Sequence, residues 1–148
     1  MTEDPSLKLP DIHSEVEYLS PSVQQQWLYN RQILSFMIQD VTRQSVDIWI
    51  KGIMRAGAKW NPEKPFLIYY ELQAVPLTPY LRQRAIEITK MSMHLHGRTA
   101  TVLPQHLGAP LLRIFMEYDL RRIRSNIVQR VFYKRDYAME WLLEAITG

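Results

Sequence analysis

The heptapeptide "FLIYYEL", residues 66–72, decides how the rest of the chain is read. It is a continuous apolar run, too short for a typical helix and bounded by breakers. "NPEKP" stands before it and "QAVPL" after it, as expected of a central strand with both faces covered. A strand buried on both faces needs a layer on each side. The flanking segments supply them. Upstream, Val46, Trp49, Ile50, Ile53 and Met54 recur at spacings of three and four, which makes one apolar helical face that fades at Gly57. Asp40 or Thr42 can cap that helix, because either side-chain oxygen can accept from N–H groups left free in a first turn. Downstream, Thr78 followed by Pro79 forms an N-cap and first-turn pair. Leu81, Ala85, Ile88 and Leu95 then give an inner face that is expected to run to Gly97.

Further outward, "RTATVLP" reads as another core strand. After "QHLGA" a helix opens at Pro110, with Leu111, Leu112, Phe115 and Met116 facing inward and Arg121, Arg122 and Arg124 in its later, basic turns. A last strand covers about Val128 to Tyr133. Asp136 is expected to cap the closing helix, whose Ala138, Trp141, Leu142, Ala145 and Ile146 keep the three-and-four spacing. Before all of this, "SVQQQWLYNRQILSFMIQD" reads as a hairpin. Val23, Trp27 and Leu28 lie on its first strand, Tyr29 to Arg31 form the turn, and Ile33 to Ile38 form the second strand. Alternation of strand and helix through four helices predicts an α/β fold, with a mixed, mostly parallel sheet of about five strands and an N-terminal hairpin. Residues 1–21, rich in charge, proline and serine, are expected to form an extended arm with at most a short strand near Val16 to Leu19. Residues 22–148 form the single domain.

Composition narrows the function classes. With 148 residues, of which 47% are hydrophobic, the chain can bury one core of its own. The absence of cysteine excludes disulfides and thiolate chemistry and fits a reducing compartment, so the cytoplasm is expected. No segment reads as a signal peptide or a membrane span. The net charge of +3, from 18 basic against 15 acidic residues, does not demand a polyanionic partner.

The order of elements, with "GRTATVLPQHLGAPLLRIF" (97–115) followed by "VQRVFYKRDYAMEWL" (128–142), resembles the STAS-like domains of bacteria, named for sulfate transporters and sporulation anti-sigma-factor antagonists. The resemblance implies a small regulatory module that binds a partner protein. In antagonist members it is switched by phosphorylation where a central strand meets its helix, at an Asp-Ser pair followed by glycine. Here "ELQAVPLTPYL" has neither the pair nor the glycine, and Thr78 is the hydroxyl near that place.

Several residues could carry chemistry, and each also has a structural reading. Thr78 at a helix N-terminus could hold a phosphate against free N–H groups, or serve as a plain N-cap. His94, His96 and His106 are the best imidazole cluster, yet "HLH" beside Gly97 also suits a helix end, and no carboxylate or cysteine completes a metal site. Arg121, Arg122 and Arg124 could grip a phosphate backbone or form a solvated helix face, and Glu117 and Asp119 interrupt the charge. Glu71, Gln73 and His106 meet where strand ends border a crevice, without a nucleophile or glycine-rich loop beside them.

The expected function is therefore a non-enzymatic regulatory or scaffold domain. Its partner surface comprises Glu71, Gln73, Thr78, Tyr80 and His106, with no catalytic residue, metal or cofactor assigned. A second copy of the chain is one candidate partner; specific nucleic acid is not. The alternative is a small-molecule or lipid-binding module in the same crevice, with Tyr69, Tyr70 and Tyr80 as apolar surface. An enclosed apolar cavity of roughly 300 Å³ would favour the alternative, and a filled core the partner reading.

Overall fold

The computed structural model describes residues 13–73, 77–105 and 109–147. They form an α/β fold on a six-stranded mixed sheet whose spatial order follows the chain, β1 to β6. The strands are β1 (Glu17–Ser20), β2 (Val23–Leu28), β3 (Ile33–Ile38), β4 (Phe66–Leu72), β5 (His96–Val102) and β6 (Asn126–Phe132). β1, β2 and β3 pair antiparallel, and β3 to β6 pair parallel. The sheet thus has one strand more than expected, because residues 17–20 of the arm pair with β2.

Each parallel step moves one strand along the sheet, so right-handed crossovers place the connecting helices on one face. Those helices are α1 (Arg43–Ala58), α2 (Pro79–Met91) and α3 (Ala109–Ile114). A π-helical turn (Phe115–Asp119) and a 3-10 turn (Leu120–Arg122) extend α3. Their apolar side chains form the larger core with Leu34, Phe36, Ile38, Ile68, Tyr70 and Leu72. Among the described residues the opposite face is covered by α4 (Arg135–Thr147) alone, whose Ala138, Trp141 and Leu142 pack on Ile33, Leu67, Tyr69 and Ala100. β4 is buried between the two layers, which is why its sequence shows no alternation.

Local chemistry sets the boundaries. Thr42, not Asp40, caps α1: its hydroxyl oxygen accepts from the Ser45 N–H at 3.3 Å. Asp40 instead accepts from Thr42, at 3.2 Å from its N–H and 3.0 Å from its hydroxyl. α2 ends at Met91, not at Gly97, because the Ser92 N–H turns back to the Ile88 and Thr89 carbonyls. Gly97 belongs to β5, where its φ of 152° and the closeness of the Phe66 carbonyl leave no room for a Cβ. On α3, Leu112 and Ala109 are buried, whereas Leu111 is 62% exposed and does not face inward. Met54 is likewise exposed on α1. Asp136 sits inside the first turn of α4, where its charge suits the helix dipole, not at the cap.

Candidate functional site

The carboxyl ends of the parallel strands, where the sequence placed the partner surface, carry two separate side-chain networks. Residues 69 and 71 share a strand face by the period of two, and that face is the one under α4. Glu71 Oε1 accepts from the Tyr69 hydroxyl at 2.8 Å, from Arg135 Nε at 3.0 Å and from Arg135 Nη2 at 2.6 Å. The Tyr69 oxygen also accepts from Arg135 Nε at 3.2 Å. Burial first, and the Glu71 carboxylate second, push the Tyr69 phenol far above its usual range. Glu71, for its part, raises the Arg135 guanidinium. The trio therefore holds a neutral phenol between fixed charges. It borders an open cleft of about 390 Å³, floored by Gln26, Ser35 and Met37.

The second network lies across the sheet, on α1 and α2. Tyr80 donates its hydroxyl to the Asp47 carboxylate, which raises the phenol above its usual range. The Arg43 guanidinium lies 4.5 Å from the centre of the Tyr80 ring, and Arg84 Nε stands 3.5 Å from Asp47. Thr78 caps α2, its hydroxyl oxygen accepting from the Leu81 N–H at 3.1 Å. That hydroxyl is used in the helix start.

The structure therefore brings Thr78 and Tyr80 to one end of α2, and sets Glu71 on the other side of the sheet. Gln73 is exposed at the end of β4, anchored by its own N–H to the Ile38 carbonyl at 2.9 Å. His106 lies outside the described residues, so its meeting with Glu71 and Gln73 does too. The three tyrosines do not form a shared apolar surface. Tyr70 packs on the other face from Tyr69, against the rings of Phe36 and Trp49 at 6.0 and 4.8 Å, and both are buried. His94 and His96 are exposed on either side of the buried Leu95, and they stand beyond the end of α2, not on it. Among the described residues no group of three or more histidines and carboxylates could hold a metal.

Sequence reasoning missed Arg135, Asp47, Arg43 and Arg84. The strand parity of Tyr69 and Glu71 was available as a signal, but their cation comes 64 residues later. Arg121, Arg122 and Arg124 are exposed at and just after the 3-10 turn. No helix among the described residues is long and apolar enough to cross a membrane. No family model, curated protein or solved structure matches the chain.

Proposed function

We propose that this chain is a non-enzymatic, STAS-like regulatory or scaffold domain that binds a partner protein at the carboxyl ends of its parallel strands and the start of α2. The observation that carries the reading is the engagement of the polar groups there. Thr78 is spent on its cap, Tyr80 on Asp47, and Glu71 on Tyr69 and Arg135. Burial and Glu71 hold the Tyr69 phenol, and Asp47 holds the Tyr80 phenol, above the usual range, so neither supplies a base near neutrality. Fixed side chains of this kind offer a preorganised surface, which lowers the ordering cost of association. The Arg43–Tyr80 stack and exposed Gln73 are the contacts such a partner would find. Arg121, Arg122 and Arg124 stand apart from this surface, and the chain has no strongly basic balance to support a specific nucleic-acid partner. The location that goes with this reading is the cytoplasm.

The alternative, a lipid or small apolar molecule in the same crevice, is less well supported. Tyr70 fills the inner face of the sheet, and the cleft beside Tyr69 is open and partly polar. Affinity capture from the native host, with mass spectrometry of proteins and small molecules, separates the two. A protein retained by the wild type and lost with Arg43→Glu plus Tyr80→Ala is the expected result. A small molecule retained with no protein would reverse the choice. Light scattering of the purified chain tests whether a second copy is the partner.

A further inference from the structure

At the other end of the sheet, the β2–β3 turn departs from the usual backbone. Tyr29, Asn30 and Arg31 all have positive φ, at 51°, 56° and 64°. Non-glycine residues resist this left-handed region because the Cβ crowds the neighbouring carbonyl, and three in a row are unusual. A two-residue turn would join the strands with less strain. The longer turn has a visible product. It lifts Arg31 over the Trp27 ring, 4.5 Å from its centre, and Trp27 stacks on Trp60 with centres 6.0 Å apart. The facing loop is equally fixed. Trp60 Nε1 donates to the Lys64 carbonyl at 3.0 Å, and Asn61 accepts from the Glu63 N–H at 3.0 Å.

Between these two rigid walls and the end of α4 lies an open groove of about 490 Å³. Pro65, Ala145 and Ile146 give it apolar surface, and Arg31 and Lys64 also line it. Neither cation has a carboxylate partner among the described residues. Gln32 lines the same groove, and its Oε1 is shielded from solvent with no hydrogen-bond donor. Its own N–H is held by the Leu28 and Tyr29 carbonyls, at 3.1 and 3.3 Å, which fixes the backbone there and leaves the side chain to turn toward a donor in the groove. A buried acceptor without a donor is costly, and it marks a place where a donor is missing.

From two cations with no carboxylate partner among the described residues, the orphan acceptor and the apolar lining, we infer that this groove binds an N-acylated α-amino carboxylate. The carboxylate meets Arg31 and Lys64, the adjacent amide N–H donates to Gln32 Oε1, and an aliphatic side chain covers Pro65 and Ile146. The size is within the usual range for ligand clefts, roughly 300–1,000 Å³. The same chemistry occurs in a free acyl amino acid and in the carboxyl terminus of a peptide. This site is distinct from the partner surface proposed above, at the opposite ends of the strands.

The test is titration of the full chain with N-acetyl-leucine, acetyl-Gly-Gly-Leu and the amidated form of each, followed by the indole N–H resonance of Trp60. Both free acids should bind and shift that resonance, and both amides should bind at least about tenfold more weakly, because a charge-assisted contact is lost. Tighter binding of the tripeptide assigns the site to a chain end, and equal or weaker binding to a free acyl amino acid. Lys64→Gln changes an exposed side chain and should weaken the acids alone. Gln32→Met removes the orphan acceptor, so it should weaken binding while raising the thermal midpoint. Equal affinity for acids and amides, or unaltered binding by Gln32→Met, would overturn the inference.

Discussion

Glu117→Ala should destabilise the protein by about 2–3 kcal/mol and promote self-association, and both effects follow from one side chain on the π-helical turn. Among the described residues β6 is the last strand of the sheet, so its outer N–H groups have no strand to pair with. Two of them are satisfied by side chains. The Val131 N–H donates to Glu117 Oε2 at 2.9 Å, and the Ile127 N–H donates to Ser125 Oγ at 3.1 Å. Glu117 also accepts from Arg113 Nε at 3.0 Å through its other oxygen, and its side chain is only 15% exposed. A hydrogen bond to a charged group contributes about 1.5–3 kcal/mol, and Val131 is buried, so its N–H cannot turn to water without cost. The half-exposed Arg113 pair adds about 0.3–0.5 kcal/mol. Glu117→Gln keeps an acceptor for Val131 and gives up only the charge, so its loss should stay near 1 kcal/mol or below. Urea denaturation at constant slope separates the two variants by their midpoints. Light scattering across a concentration series then reports whether the uncovered edge recruits a second chain. Identical midpoints for the alanine and glutamine variants, with unchanged mass, would refute the role given to the carboxylate.

The remaining predictions concern other parts of the chain. Trp141→Ala should cost about 3–5 kcal/mol, since the ring is 8% exposed and lies 5.7 Å from the centre of Phe132; an unchanged denaturation midpoint would mean that α4 does not cover its face. Thr78→Ala should cost about 1 kcal/mol, the loss of an N-cap, and leave partner binding intact; stoichiometric phosphate on Thr78 in cells would contradict it. The hydroxyls of Ser22 and Ser45, with Thr42, hold the Asp40 carboxyl down at about 2 from an ordinary 3.8. Between those values the unfolded chain binds more protons than the folded one, so the contribution of Asp40 is complete above about pH 4 and is lost as pH falls toward 2. Acid titration of stability should therefore be shallower over that window in Asp40→Asn.

The architecture was legible where a periodic pattern had one physical solution. "FLIYYEL" could only be a strand covered on both sides, and the three-and-four spacing of Val46 to Ile53 could only be a helix lying on it. Errors arose where spacing continued past a hydrogen-bonding event. Leu95 stands seven residues after Ile88, as a helical face requires, yet it is buried from the connection after α2, because Ser92 has already closed the helix. Leu111 fits an inward face by spacing to Phe115, but α3 turns it outward beside a buried Leu112. Of the site, the sequence reading grouped Glu71 with Gln73 and His106, although strand parity could have put Tyr69 beside Glu71. Their cation Arg135, and the Asp47 that meets Tyr80, come from contacts 64 and 33 residues apart, and periodicity assigns a face without naming what lies across from it.

One helix cannot cover a six-stranded sheet, and the sequence of β2 shows how the shortfall is met. Its residues toward α1 include Val23 and Trp27, whereas Gln24 and Gln26 point to the face that α4 leaves open. On β3 the same open face carries Ser35 and Met37, between Ile33 under α4 and the strand end. Polar side chains on that face gather on β2 and at Ser35, away from the contact with α4. The Tyr69–Glu71–Arg135 network stands at the line where α4 begins. A buried ion pair would have to repay its desolvation, but Arg135 is 60% exposed and remains largely hydrated. The pair can thus fix the start of α4 without a large desolvation cost. That leaves the first turn of α4, the end of β4 and the cleft between them as one hydrogen-bonded polar border.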